Sequence, residues 1–134
     1  MQLDQKKDIE LILLKGHLML EVIIDDVINR CLGENKSIES LRLGFYKKCE
    51  LLWLLSNNTS EQTELIKTYV LEINRLRNKL AHKFIFEEHE TELVKWADDV
   101  LATLPEIKIS RYTYRTKIVH AFANLSKCMY ELIK

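Results

Sequence analysis

Residues 59–83 read TSEQTELIKTYVLEINRLRNKLAHK. Within them Leu65, Ile66, Tyr69, Val70, Ile73, Leu76 and Leu80 recur at the spacing that lines one face of an α-helix. Ahead of the run, Thr59 and Gln62 stand in T-x-x-Q register, the arrangement of a capping box. The segment predicts an amphipathic helix that ends near Lys83.

The same periodicity extends in both directions. Upstream, a first helix is expected from near Asp4 to Leu32, with Ile9, Ile12, Leu13, Val22, Ile23, Val27 and Ile28 among its apolar positions and Gly33 as its stop. At about 1.5 Å per residue it would exceed ~40 Å. A domain this small does not need that length, so the helix is expected either to bend near Gly16 or to pack on a second subunit. Gly33 to Gly44 reads as a connection with a short helical piece, Ser37 to Leu41. A second helix fits Phe45 to Leu55, closed by Ser56-Asn57-Asn58. Downstream, Phe84-Ile85-Phe86 reads as a loop anchored in the core, and Glu87-Glu88-His89-Glu90 as a solvated turn. A fourth helix fits Glu90 to Leu104, ended by Pro105. Ser110 is placed to cap a last helix whose stripe is Ile118, Phe122, Leu125, Met129 and Leu132.

Composition agrees with helices. The 134 residues suit one domain, 47% are apolar, and three Gly with one Pro are too few to punctuate a many-stranded sheet. The expected fold is all-α, a bundle of four to five helices with a long first helix, in a single domain over 1–134. No apolar run reaches the ~18 residues of a membrane span, and MQLDQKKDIE lacks the order of a signal peptide, so a cytoplasmic protein is expected. Three cysteines without a C-x-x-C pair suit reduced thiols, with Cys31 and Cys128 in apolar runs expected to be buried.

Net charge is zero, which excludes a global electrostatic case for nucleic acid or membrane. The charges are nevertheless blocked. Arg75, Arg77, Lys79 and Lys83 form a run without acid, and residues 87–106 carry seven acids against one Lys. Residues 108–127 hold five cations and no acid. There Arg111, Arg115 and Lys117 alternate with Tyr112 and Tyr114, a pattern able to track a phosphate backbone, though tyrosines at a helix start also pack into cores.

The residues with the most chemistry close the third helix: Arg77-Asn78-Lys79-Leu80-Ala81-His82. R-N-x-x-x-H at the end of an amphipathic helix resembles the signature of the HEPN superfamily. Lys15-Gly16-His17-Leu18-Met19-Leu20-Glu21 is similar to the opening helix of small bacterial members. Phe45-Tyr46-Lys47-Lys48-Cys49-Glu50-Leu51-Leu52 is similar to the second helix of the mannitol-repressor branch. The resemblance covers about residues 9–86. It implies a bundle that dimerises with the two motif helices meeting across the interface. Many members are metal-independent ribonucleases, among them toxins and antiviral defence effectors. Others, like the mannitol-repressor branch, are regulatory, so fold alone does not choose. Some toxins end the motif H-x-Y and are silenced by modification of that Tyr; here the position is Phe84, which has no hydroxyl to modify.

The chemistry stands on its own terms. His82 titrates near neutrality and can move protons at a 2′-hydroxyl or a leaving 5′-oxygen. Arg77 offers a permanent planar fork for a phosphorane. Asn78, four residues from His82, shares its side of the helix and can orient it. Arg77 and His82, five apart, point about 140° away from each other; an Arg from one protomer and a His from its partner would meet. A basic run before a terminal His also suits the helix dipole with no site at all. His17 and Glu21 share a face of helix one and suit either a supporting layer for the site or an interhelix contact. The adjacent pair Asp25-Asp26 diverges by about 100° and makes a poor carboxylate dyad.

The expected activity is thus a metal-independent endoribonuclease acting as a homodimer, with Arg77, Asn78 and His82 catalytic, His17 and Glu21 supporting, and Lys79, Lys83, Arg111, Arg115 and Lys117 on RNA. No cofactor or metal is expected, and a cognate antitoxin is a possible partner. The alternative is a non-catalytic regulatory module that uses the same groove for protein or nucleotide.

Overall fold

The computed structural model describes residues 2–33, 35–56, 60–82, 87–104 and 114–132; the side chains of 2–7, 82, 87–89 and 114 lie outside that description. Among the described residues five α-helices carry the fold: α1 (Gln2–Leu32), α2 (Phe45–Leu55), α3 (Glu61–His82), α4 (Glu87–Thr103) and α5 (Tyr114–Tyr130). One 3₁₀ turn, Ile38–Leu41, lies between α1 and α2, and no strand occurs among the described residues. The all-α expectation holds.

The expected stripes became the core. On α3, Ile66, Tyr69, Val70, Ile73 and Leu76 are buried; on α5, Ile118, Phe122, Leu125 and Met129 are buried, as is Leu132 just past its end. These two faces meet Trp96, Leu93 and Val100 of α4 and Leu20, Ile24 and Ile28 of α1 in one cluster. Helices α1, α3, α4 and α5 pack as a ring, closed by α1 against α5 and tied across by α3 against α5. Helix α2 touches only α1 and α3 among the helices and so covers one edge of the ring.

Caps and glycines set the ends. Gly33 takes φ 93°, the left-handed geometry that stops α1, and its N–H donates to Asn29 O. The connection is then tied back by Ile38 N donating to Asn29 Oδ1 at 2.8 Å. Thr59 lies outside the described residues. The described cap of α3 is Ser60, whose Oγ accepts from Thr63 N at 3.3 Å, while the Gln62 amide reaches Cys128 Sγ instead.

Three expectations change, and of the two alternatives for α1 the bend is set aside. Helix α1 runs unbroken through Gly16, because the space a Cβ would fill there is taken by the Phe122 ring, 2.5 Å from the ideal Cβ position. The glycine serves close approach of α5, not a bend. Val22 is exposed, since it lies on the outer side of α1. Helix α4 begins at Glu87, absorbing the expected turn; acidic residues at a helix start suit the dipole there. Cys31 is exposed in the last turn of α1, whereas Cys49 and Cys128 are buried. Phe84-Ile85-Phe86 and Ser110 lie outside the described residues.

Candidate functional site

The motif end of α3 faces α1 and the start of α2. Asn74, Arg77 and Asn78 recur at three- and four-residue steps on one side of α3. Opposite them, His17 and Glu21 share a side of α1. Gly44, Phe45, Tyr46 and Lys47 open α2, and together these residues line an open cleft of about 370 Å³.

His17 is only 6% exposed. Its Nε2 lies 2.9 Å from Asn74 Oδ1, and since a carbonyl oxygen accepts, Nε2 carries the proton. Its ring rests on Phe45 with centroids 4.3 Å apart. Burial pushes its pKa below the ordinary histidine value; the Asn74 hydrogen bond and the Glu21 charge pull it back up, while the Arg77 charge adds to the downward push. The neutral ring with a free Nδ1 lone pair is therefore favoured near neutrality.

Beneath the cleft, Lys48 is 8% exposed and ties α2 to α1. Its Nζ donates to Glu21 Oε2 at 3.1 Å and lies 2.9 Å from Asp25 Oδ1. Burial alone would lower the Lys48 pKa, but the hydrogen bonds and charges of Asp25 and Glu21 outweigh it, and the ammonium is held above its ordinary range. Asp25 and Asp26 are thus divided: Asp25 serves this ion pair, and Asp26 pairs at the surface with Arg30 at 3.0 Å. The Cys49 thiol, pushed up to about 12 by burial and then by Glu21, is inert.

The other expected site residues fall differently. His82 ends α3 by its backbone, and its side chain lies outside the described residues, as do Lys83 and Arg111. Arg77 Nη1 donates to Asn78 Oδ1 at 3.4 Å, a long bond that leaves most of the guanidinium available. Lys79 lies 3.7 Å from Glu92 of α4, a carboxylate it shares with Arg75 at 2.9 Å. Lys117 pairs with Asp98 at 2.8 Å and Arg115 with Asp8 at 3.6 Å. None of these three cations lines the cleft.

Sequence reasoning missed Asn74, Phe45, Tyr46 and Lys47 as cleft residues. Asn74 was findable, because it stands four residues before Asn78 on the motif's own side of the helix. The α2 residues carried no such signal, since only tertiary packing turns the start of α2 toward α3. Among the described residues no group of three or more His, Cys, Asp or Glu side chains is arranged to hold a metal, and no helix is long and apolar enough to cross a membrane. Compared with known proteins, the chain matches no family model, no curated relative and no solved structure.

Proposed function

We propose that the chain is a HEPN-type, metal-independent endoribonuclease that works as a homodimer, of the kind used as a toxin or a defence effector. The observation that carries this reading is the convergence of Arg77 and Asn78 of the motif with His17 and Asn74 at one open cleft. A guanidinium, two amides and an imidazole are what binding a phosphodiester and moving a proton beside it require. In this reading Arg77 holds the scissile phosphate, His82 serves acid–base chemistry, and Asn78 orients the phosphate or the imidazole.

The dimer draws support from α1. Leu11, Leu14, Leu18, Met19 and Val22 are all exposed along its outer side, an apolar stripe of the kind that marks an interaction surface. A second copy of α1 is an economical cover, since an isologous contact pairs the same stripe with itself. His17 and Glu21 border that stripe, so the cleft would open beside the two-fold axis.

A specific observation favours the second reading, a regulatory or interaction module. Lys79, Arg115 and Lys117, the described cations expected to hold RNA, are engaged by carboxylates. Incubating purified protein with RNA in EDTA separates the two. The ribonuclease reading expects cleavage that Arg77→Ala and His82→Ala each reduce by about 10²–10⁴-fold without unfolding the chain. In the same preparations Leu18→Glu should turn a dimer into a monomer by light scattering, because it buries a charge in the contact. An intact RNA profile with wild-type protein would leave the interaction module standing.

A further inference from the structure

Arg77 lines the cleft, and a phosphodiester held there needs a proton carrier beside it. The cleft supplies one within the same chain: His17 lines it together with Arg77, Asn74 and Asn78. We propose that His17 is the base that takes the 2′-hydroxyl proton of an RNA phosphodiester held by Arg77, with Asn74 as its positioning residue. The inference rests on the ribonuclease reading above and goes beyond it by assigning a proton carrier outside the motif.

The geometry is that of a base made ready in advance. Two independent contacts immobilise the ring, the 2.9 Å hydrogen bond from Nε2 to Asn74 Oδ1 and the stack on Phe45 at 4.3 Å. With Nε2 committed to donation, the basic nitrogen is Nδ1. The charged groups around it come from three helices: Glu21 on α1, Lys47 on α2 and Arg77 on α3 line the cleft, and Lys48 of α2 sits on Glu21. Burial and Arg77 keep the ring neutral, the state a base must start in. Glu21 is held by Lys48 and steadies the imidazolium once it forms.

The step balances without a further reactant. Nδ1 takes the 2′-hydroxyl proton, the 2′-oxygen bonds to phosphorus, and the bond from phosphorus to the 5′-oxygen breaks. The departing oxygen takes a proton from water, and the His17 imidazolium returns its proton to the hydroxide left behind, so nothing is consumed. The products are a 2′,3′-cyclic phosphate and a 5′-hydroxyl, with Arg77 opposing charge on the non-bridging oxygens throughout.

A purely structural His17, tying α1 to α3, would also be sensitive to substitution, so the test uses a property that tie would not move. In Asn74→Asp the new carboxylate faces Nε2 and favours the charged imidazole. The acid limb of the pH–rate profile should then move to higher pH, whatever the change in plateau rate. His17→Gln should lose about 10²–10⁴-fold in rate with the helical circular dichroism of wild type. Adding uridine 3′-monophosphate should raise the His17 pKa read by NMR of the ring, because its phosphate would sit between Arg77 and His17. An acid limb unmoved in Asn74→Asp overturns the proposal even should His17→Gln fail to fold. Cleavage that survives His17→Gln within about threefold, well below the usual acid–base contribution, overturns this role and leaves the ribonuclease reading intact. A wild type that cleaves no RNA sinks that reading and this role with it.

Discussion

At the contact of α3 with α4, polar groups are closed among themselves. Trp96 Nε1 donates to Tyr69 O at 2.9 Å, and the Thr103 hydroxyl donates to Asp99 O at 2.7 Å while accepting from Tyr69 at 2.6 Å. Nearby on α5, Ser126 Oγ donates to Phe122 O at 2.7 Å. At the cleft between α1, α2 and α3 the polar groups are held and yet left open. His17 has one nitrogen engaged, and Arg77 has one long bond to Asn78. Both regions share α3. The difference lies in what the polar side chains meet: backbone carbonyls and one another in the first, an open cleft in the second. A protein selected for stability alone has no use for the second arrangement.

The sharpest way to break this comparison is to damage the closed region. Trp96 is fully buried, rests on Phe122 at 4.9 Å between ring centroids, and satisfies the Tyr69 carbonyl. Trp96→Ala should cost about 3–5 kcal/mol, the range for removing a large aromatic from a core, measured by denaturant unfolding. The NMR signals of the His17 ring should stay where they are in the folded fraction. A loss below about 1 kcal/mol would be out of line with such a core position and would show that the region is not the stabilising half of the molecule.

Gly16 sharpens the comparison, because it sits beside His17 in the chain and faces Phe122 of α5. An added Cβ would meet three carbons of the Phe122 ring at 2.5–2.6 Å. Gly16→Ala should therefore destabilise by about 1–3 kcal/mol through overpacking. Combined with Phe122→Leu, it should cost less than the sum of the two single changes, since the clash partner has gone. Strict additivity in thermal or denaturant unfolding would refute the close-approach account of this glycine.

The length of α1 leaves two readings open in the sequence, a bend near Gly16 or packing on a second subunit, and only the tertiary structure sets the bend aside. Period and composition reveal that a helix exists and which side is apolar, and on α3 and α5 that names most of the buried side, although Leu65 and Leu80 of the α3 stripe are only half-buried. On α1 the apolar residues run almost all the way round, so periodicity could not say that Leu13, Leu20 and Ile24 face the core while Leu14, Leu18 and Val22 face out. Cys31 was misread for the same reason. The ion pairs of Lys79 with Glu92 and Lys117 with Asp98 join helices far apart in the chain, and a basic block looks free until an acidic helix packs on it. Within the cleft, the pair His17 and Glu21 was legible as one helical step. Its neighbours Phe45, Tyr46 and Lys47 were not, because no local rule dictates where the start of α2 comes to rest.

The smallest effect isolates the open region by pH. His17 has a folded-state pKa below its ordinary value, owing first to burial, with Arg77 contributing. Well above the ordinary histidine pKa of about 6.5 the ring is neutral in the folded and the unfolded chain, and it adds no pH dependence. As pH falls through that value the unfolded chain binds a proton that the folded chain still refuses. The unfolded state then carries more protons, so stability decreases as pH falls and is regained as pH rises. The slope from one such group cannot exceed about 1.4 kcal/mol per pH unit, and it flattens once pH drops below the folded-state pKa. Glu21 and the Asn74 hydrogen bond oppose the shift and keep it modest. Urea unfolding of wild type and His17→Gln between pH 5 and 7 reads the effect as a difference between two slopes, with every other titrating group common to both. The wild type should lose more stability toward pH 5 than the variant. Parallel curves would mean that His17 takes up its proton as readily in the cleft as in water, and that the cleft does not hold its imidazole neutral.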